Sequence, residues 1–252
     1  MKKILSVICF LIAFGFLLNA HFTSDFNENR KKPNSLIYYQ DVDNGTSYWA
    51  SYDQILDDWT RGYLGNEPED ASKYIENVSG SKYNKKYIFA KKTPTKDISD
   101  FKVILNKDTI IEELRNVTFT ILPQRKINQM NLYANVDLVF DSFAYNGIPV
   151  QKDSSGLVYG SRKNKKLLRY TLADNDSLEV SYSLQKEEKV IFTVMEYSFD
   201  LLQHPKFSIA NRSNDMMPKP FVVTDAIALK KIIIIDSLKR EVVNDTISVV
   251  LE

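Results

Sequence analysis

The first hydrophobic stretch of the chain runs without a charged residue from Ile4 to Leu18 and follows two lysines, Lys2 and Lys3. Its length lies between that of a signal-peptide core and that of a minimal membrane span. We therefore predict that residues 1–22 form either a signal anchor or a cleaved signal peptide. The tripeptide Leu18-Asn19-Ala20 is a poor cleavage pattern, because a leucine stands at the outer position where a small residue is preferred. This favours the uncleaved anchor.

The positive charges before this stretch predict its orientation in a membrane. Lys2 and Lys3 favour the cytoplasmic side, so that everything after His21 lies across the membrane. The expected location is the cell membrane, spanned once through residues 4–18, with the rest of the chain outside the cytoplasm. The alternative is a secreted or periplasmic protein after cleavage. Cys9 is the sole cysteine, so the sequence after it has no disulfide to form.

Polar residues then separate the hydrophobic stretch from a β-rich region. Residues 23–34 are polar and charged and are predicted to form a linker, followed by an extracytoplasmic domain over 35–252. The apolar segments Leu36–Gln40 and Ser47–Ala50 flank the pair Asn44-Gly45. Because both residues of this pair tolerate positive φ angles, the pattern predicts a tight two-residue β-hairpin.

One short helix is predicted after this hairpin, near residues 53–61. Asp53 is the expected cap at its N-terminus, and Ile55 and Trp59 then share a face. Gly62 and Gly65 are expected to end it. A weaker helical pattern covers residues 71–75.

The remainder of the chain alternates between apolar and polar positions with the period of β-strands. Runs rich in Val, Ile, Thr, Tyr and Phe are separated by Asn, Asp, Gly and Ser, which favours an antiparallel β-sandwich. The predicted strands are Tyr87–Ala90, Phe101–Leu105, Val117–Leu122, Met130–Phe140, Leu167–Leu172, Leu178–Leu184 and Val190–Phe199. Near the end, Ile232–Ile235 and Ile247–Leu251 flank a charged segment, as in a hairpin or a short helix and loop. Such apolar strands should be covered or paired centrally, since bare apolar edges aggregate.

Composition and charge restrict the classes of function that the chain can have. Hydrophobic residues make up 44% of the chain, which is enough for a folded core. The formal net charge is +1, so the chain has no long-range field for attracting nucleic acid. A basic cluster is expected to be a solvated loop, the alternative being a patch for an anionic partner. Its members are Arg162, Lys163, Lys165, Lys166 and Arg169.

Residues for metal binding or catalysis are scarce. The two histidines are His21, beside the hydrophobic stretch, and His204, for which an exposed or hydrogen-bonded structural role is expected. A hydrolytic zinc site needs several imidazole, thiolate or carboxylate ligands around the metal. After residue 22 the sequence has one histidine and no cysteine, and it contains no His-x-Asp, no His-Glu-x-x-His and no Gly-x-Ser-x-Gly nucleophile elbow. We therefore predict a protein that is not an enzyme, with no catalytic residues, metal site or cofactor.

Two distant segments together resemble a known family. The first runs from Pro33 to Tyr38, on to Tyr48–Ser51 and then to Asp57–Arg61, and the second is Arg212–Pro218 with Asp225 after it. In order and spacing they are similar to the C-terminal extracytoplasmic region of bacterial membrane-bound zinc aminopeptidases. Those proteins are relatives of the endoplasmic-reticulum metallopeptidase and the vacuolar membrane protease. In that family a zinc peptidase domain and several membrane spans precede a β-rich domain.

The resemblance implies a role for this chain but no catalysis. The metal-binding domain of the family has no counterpart here, so no residue takes over a zinc-ligand role. The implied function is non-catalytic: an accessory or structural domain of a membrane zinc peptidase, or a split fragment of one. The alternative is an independent exported binding module for an envelope polymer or carbohydrate, which an exposed row of tyrosines would favour. The sequence does not indicate an oligomeric state.

Within the shared segments, six residues have expected roles. Trp49 and Trp59 are predicted structural anchors that hold the first hairpin and the helix on the sheet. Arg212 and Asp215 are predicted to form a charge-assisted pair, with Met216 and Met217 filling space beneath it. These last four residues are our candidate partner-contact loop.

Overall fold

The structure of the chain, a computed structural model, describes residues 2–76, 86–160, 162–173 and 176–238. The described part is mainly β, its sheets are mostly antiparallel, and one apolar helix lies at the N-terminus. The predicted fold class is confirmed.

The helix α1 spans Lys2–Phe22, and every one of its side chains is exposed. Its 21 residues have a mean hydropathy of 2.2 in the most apolar window and correspond to a length of about 31 Å. Among the described residues this is the one helix long and apolar enough to cross a membrane, and a signal sequence has the same properties.

The strands of the described residues pair in three sheets. In chain order they are β1 Lys32–Asn34, β2 Ile37–Asp41, β3 Thr46–Ser51, β4 Glu69–Asp70, β5 Phe89–Thr93, β6 Lys102–Ile111, β7 Leu114–Leu122, β8 Gln129–Tyr133, β9 Ser142–Tyr145, β10 Ile148–Pro149, β11 Lys166–Thr171, β12 Leu178–Gln185, β13 Ile191–Ser198, β14 Met216–Pro218 and β15 Ala226–Ile234. The largest sheet has the order β11-β8-β13-β15-β2-β3-β5-β4, and the second has the order β10-β9-β12-β7-β6. The third joins β1 to β14.

Two of the strand pairings are parallel. β15 pairs with β2, with Ala226 opposite Ile37, and β1 pairs with β14, with Lys32 opposite Met216. The predicted linker is therefore shorter than expected, because Lys32–Asn34 already belongs to a sheet.

The larger two sheets bury a shared apolar core between them. Phe119 of β7 and Tyr182 of β12 reach it from the smaller sheet, and Phe192 of β13 and Leu132 of β8 reach it from the larger sheet. The period-two alternation of β13 explains this arrangement, since Phe192 and Val194 face the shared core while Met195 and Tyr197 face the opposite side. The opposite face of the larger sheet carries a second, tyrosine-rich cluster.

The short helix lies later in the chain than predicted. Helix α2 spans Asp58–Leu64 and is capped by Asp57, not by Asp53. A capping box requires a side chain three residues later that reaches back to the cap. Thr60 supplies it, accepting a hydrogen bond from Asp57 N at 2.9 Å and donating its own N–H to Asp57 Oδ1 at 2.9 Å. Leu56 has no such group to offer Asp53. Gly62 lies inside the helix, which ends at Gly65 with a φ of 80°.

Most predicted strands are confirmed, but one predicted strand is shorter than expected and the loop of the first hairpin is longer than expected. The segment predicted as one strand from Met130 to Phe140 ends at Tyr133, where β8 stops. The first hairpin is confirmed as β2–β3, but its loop spans four residues, 42–45, and Asp41 accepts hydrogen bonds from the backbone and side chain of Asn44. Ile232–Ile234 forms the end of β15, which is paired centrally as expected. The strand predicted at 247–251 lies outside the described residues.

Candidate functional site

The two segments that carry the family resemblance meet in space. We use the name staple for the group that joins them: Asn34, Asp57, Trp59, Arg212 and Asp225. Both terminal nitrogens of Arg212 donate to the carboxylate of Asp225, at 2.7 and 2.5 Å, and its Nε donates to Asn34 Oδ1 at 2.5 Å. The guanidinium lies 4.2 Å from the ring centroid of Trp59. These partners surround a side chain that is only 8% exposed.

Asn34 links the arginine pair to the start of helix α2. It is fully buried, and its Nδ2 donates to Asp57 Oδ2 at 2.7 Å and to the sulfur of Met216 at 3.4 Å. Burial acts to raise the pKa of Asp57, but hydrogen bonds from Thr60 and Asn34, with Lys32 nearby, outweigh it and lower the pKa. The Asp57 carboxylate thus remains charged and caps the helix.

The expected pair of Arg212 with Asp215 is wrong, because Arg212 binds Asp225 instead. Asp225 precedes β15, and its backbone N–H donates to Leu36 O at 2.9 Å, so the parallel pairing of β15 with β2 delivers its carboxylate next to Asn34. Asp215 accepts a hydrogen bond from Ser213 Oγ at 2.5 Å.

Most residues of the candidate partner-contact loop make contacts within the fold. Arg212 is buried in the staple, Met216 packs partly buried against an apolar cluster with Leu36, and Asp215 is half-buried. Of the four predicted contact residues, Met217 is the exposed one, at 37%. The loop offers little free surface for a partner.

Both tryptophans pack into one aromatic cluster. Trp49 has ring centroids of Tyr38, Tyr63 and Phe207 within 5.4 to 5.8 Å. Trp59 is 9% exposed and donates from Nε1 to the carbonyl of Ala210 at 2.7 Å. These contacts attach the hairpin and helix α2 to the segment before Arg212.

A different candidate site lies on the tyrosine-rich face of the larger sheet. We call it the basic pocket: a cavity of about 210 Å³ lined by Tyr52, Gln129, Asn131, Tyr133, Lys166, Arg169, Tyr197, Phe221, Val222 and Val223. Gln129, Asn131 and Tyr133 point the same way because they alternate along β8. A register shift between Lys166 and Leu168 in β11 brings Lys166 opposite Tyr133 and Arg169 opposite Asn131, so both cations share that face.

Hydrogen bonds fix the polar side chains of the basic pocket. Arg169 Nε donates to Gln129 Oε1 at 2.9 Å, and Gln129 Nε2 donates to Asn131 Oδ1 at 3.0 Å. Asn131 Nδ2 then donates to the hydroxyl of Tyr133 at 3.0 Å. Each amide is oriented by its neighbour, so the wall of the pocket is set before any ligand arrives.

The pocket is positively charged. Lys166 and Arg169 line it, no carboxylate does, and neither cation has a salt-bridge partner among the described residues. Burial, and then the nearby charge of Arg169, lowers the pKa of Lys166. Burial raises the pKa of both Tyr52 and Tyr133 to about 12, so their hydroxyls stay protonated at neutral pH.

The basic cluster was expected to be one solvated loop, and the structure divides it. Arg162 donates to the carbonyls of Asn135 and Leu138, Lys165 pairs with Glu76, and Lys166 and Arg169 lie on β11 in the basic pocket. The sequence feature that could have indicated the basic pocket was the polar alternation of Gln129, Asn131 and Tyr133. That alternation alone does not show that the register shift of β11 places Lys166 and Arg169 on the same face.

A buried ionisable group lies on β13. Glu196 of β13 is fully buried, and neither of its carboxylate oxygens has a hydrogen-bond partner among the described residues. Arg125 donates to Ser198 Oγ at 2.5 Å, but its Nε and Nη2 are buried and lack described partners. Burial raises the pKa of Glu196 to about 7 against the opposing charge of Arg125.

The described residues contain no cluster of three or more His, Cys, Asp or Glu arranged for a metal. His204 is partly exposed, contacts Phe207 edge-on with ring centroids 5.5 Å apart, and accepts from Lys206 N at 3.3 Å. These contacts fit a structural role.

Comparison with known proteins adds no relationship: no family model matches the chain, and a search of curated proteins returns no match. The resemblance to membrane zinc aminopeptidases therefore stays a prediction.

Proposed function

We propose that the chain is a non-catalytic domain tethered to the cell membrane by α1, with its β-rich part outside the cytoplasm. The observation that carries this proposal is α1 itself, apolar and exposed along its whole length, preceded by the positive charge of Lys2 and Lys3. An apolar helix with no protein partner needs a lipid environment or removal by a signal peptidase.

Cysteine labelling tests this arrangement, because Cys9 is the sole cysteine of the chain. In a Cys9→Ser background, Lys92→Cys on β5 and Lys3→Cys before the helix provide two probe sites, both exposed. In right-side-out membrane vesicles, a membrane-impermeant maleimide should label position 92 at once and position 3 only after permeabilisation. The reverse pattern would contradict the proposed orientation. A chain that leaves the membrane fraction and lacks its first residues would show cleavage and a secreted form.

Within this arrangement, the first role that we propose is accessory to a membrane zinc peptidase. It is supported by the resemblance of residues 33–61 and 212–225 and by their meeting in the staple, which marks them as one structural unit of the domain. A zinc peptidase should co-purify with the tagged chain after mild cross-linking of membranes. A matched control carries α1 and the tag on an unrelated exported domain. Retrieval by both baits, or by neither, would count against the accessory role.

The second role that we propose is an independent binding module, and the basic pocket is the observation that favours it. An exposed row of tyrosines was expected for such a module, but on the tyrosine-rich face of the larger sheet the described residues Tyr39, Tyr48, Tyr133 and Tyr197 are buried. Their face nevertheless carries a partly open cavity with fixed hydrogen-bonding groups and two cations. Ligand sites commonly have this combination of a concave surface and a few oriented polar groups.

A further inference from the structure

We propose that the basic pocket binds a small organic anion, a carboxylate or phosphate group attached to an apolar body. This inference rests on the role as a binding module and specifies the class of its ligand. It is carried by the geometry of Lys166 and Arg169, which share one face of β11 beside oriented amides, and by a second cavity that continues from Arg169.

The two cations are placed to receive an oxyanion. Arg169 uses Nε to hold Gln129, and its two terminal nitrogens donate to no described protein group. A guanidinium presents paired N–H donors in a plane, which matches the two oxygens of a carboxylate or phosphate. Lys166 lies on the same face, 5.8 Å from the ring centroid of Tyr133, and adds a second positive charge. Two neighbouring cations without a carboxylate repel each other, and an anion between them would relieve this repulsion.

The neighbouring cavity indicates what the anion is attached to. It has a volume of about 640 Å³ and shares with the basic pocket Arg169 and the segment 221–223. Its other lining residues include Phe199 and Pro218, and its one carboxylate, Asp225, is already occupied by Arg212. The combined site therefore has a charged end at Arg169 and a mostly apolar end beyond it. A bare inorganic ion would occupy only the charged end.

Four simple probes separate these features: phenyl phosphate and phenylacetate carry both an anion and an apolar body, inorganic phosphate carries only the anion, and benzyl alcohol only the body. Titration calorimetry of the full chain in detergent should show one site that binds phenyl phosphate or phenylacetate at least tenfold more tightly than either of the other two. The tighter of the two aromatic anions identifies the group, phosphate or carboxylate. Raising the salt concentration should weaken binding, since the charges are partly exposed.

Charge-removing variants locate the site. Arg169→Gln and Lys166→Gln should each raise the Kd of the better probe at least tenfold, and Arg169→Lys should weaken it less. Lys165→Gln is the matched control, because Lys165 is adjacent in sequence but pairs with Glu76 and does not line the basic pocket. Thermal melts show whether each variant folds. If Arg169→Gln does not fold, Arg169→Lys provides the test in its place.

Several results would overturn the inference. These are saturation by none of the probes, benzyl alcohol binding as tightly as the anions, or unchanged affinity in the folded double variant of Lys166 and Arg169. Because the titration uses purified chain, its failure would leave the membrane orientation untouched, and the cysteine labelling described above would still decide that proposal separately.

Discussion

Replacing Glu196 by glutamine should remove a pH dependence of stability that the buried carboxyl creates. Glu196 lies on the same face of β13 as Phe192 and Val194, in register with Met130 of β8 and Leu229 of β15. The charged groups that act on it are Arg125, Asp100 and Lys231, and the last two are paired with each other at 2.7 Å. With no described hydrogen bond to either oxygen, the ionised form is poorly compensated.

The magnitude follows from the pKa of Glu196, which burial raises from 4.5 to about 7. Such a change corresponds to roughly 3 kcal/mol of free energy. Between these two pH values the folded chain holds a proton that the unfolded chain has released. The free energy of unfolding should therefore fall by about 1.4 kcal/mol per pH unit from pH 4.5 to 7 on account of this group, and level off above. The stabilising contribution is complete below pH 4.5 and lost above pH 7.

The assay is urea unfolding of the full chain in detergent at several pH values from 5 to 8, followed by the fluorescence of Trp49 and Trp59. Glu196→Gln should flatten the pH dependence and be more stable than the parent by up to about 3 kcal/mol at pH 8, with little difference at pH 5. Glu188→Gln is the matched control, since Glu188 is exposed, and it should follow the parent. Parallel curves for the parent and Glu196→Gln across this range would refute the reasoning.

Three further variants and one matched control test the staple and helix α2 by the same unfolding assay. Asp225→Asn leaves Arg212 buried without its charged partner and should lower the free energy of unfolding by about 3 to 5 kcal/mol. Asp215→Asn is the matched control and should be nearly neutral. Equal effects of the two substitutions would contradict the assigned pair. Trp59→Ala should cost about 3 to 5 kcal/mol, because it removes a buried ring under Arg212, and a loss below 1 kcal/mol would argue against its anchoring role. Thr60→Val should lower the free energy of unfolding by about 1 kcal/mol, because it breaks the capping box. An unchanged free energy of unfolding would place the cap elsewhere.

The strands with clear alternation were predictable from the sequence. Leu178–Leu184 was expected as a strand, and β12 spans Leu178–Gln185, because every second residue faces the shared core. β15 was recognised only in its isoleucine-rich end. Its earlier part contains Lys230 and Lys231, which interrupt the apolar pattern and are compensated by ion pairs with distant residues, Asp41 and Asp100.

The candidate sites were less predictable, because both depend on pairings between remote segments. A spacing of three residues suggested Asp215 as the partner of Arg212, but the parallel alignment of β15 with β2 brings in Asp225 instead. The basic pocket depends on a register shift within β11, which changes the face of every residue after it. No local pattern signals either event.

The parallel pairing of β15 with β2 also constrains the order in which this chain can acquire its structure. Its partners lie 189 residues apart, as between Ile37 and Ala226, so a strand that is synthesised early must wait for one that is synthesised much later. Until then its central position in the larger sheet stays open and its apolar face unprotected. Formation of the larger sheet should therefore be slow and completed only after β15 has been synthesised.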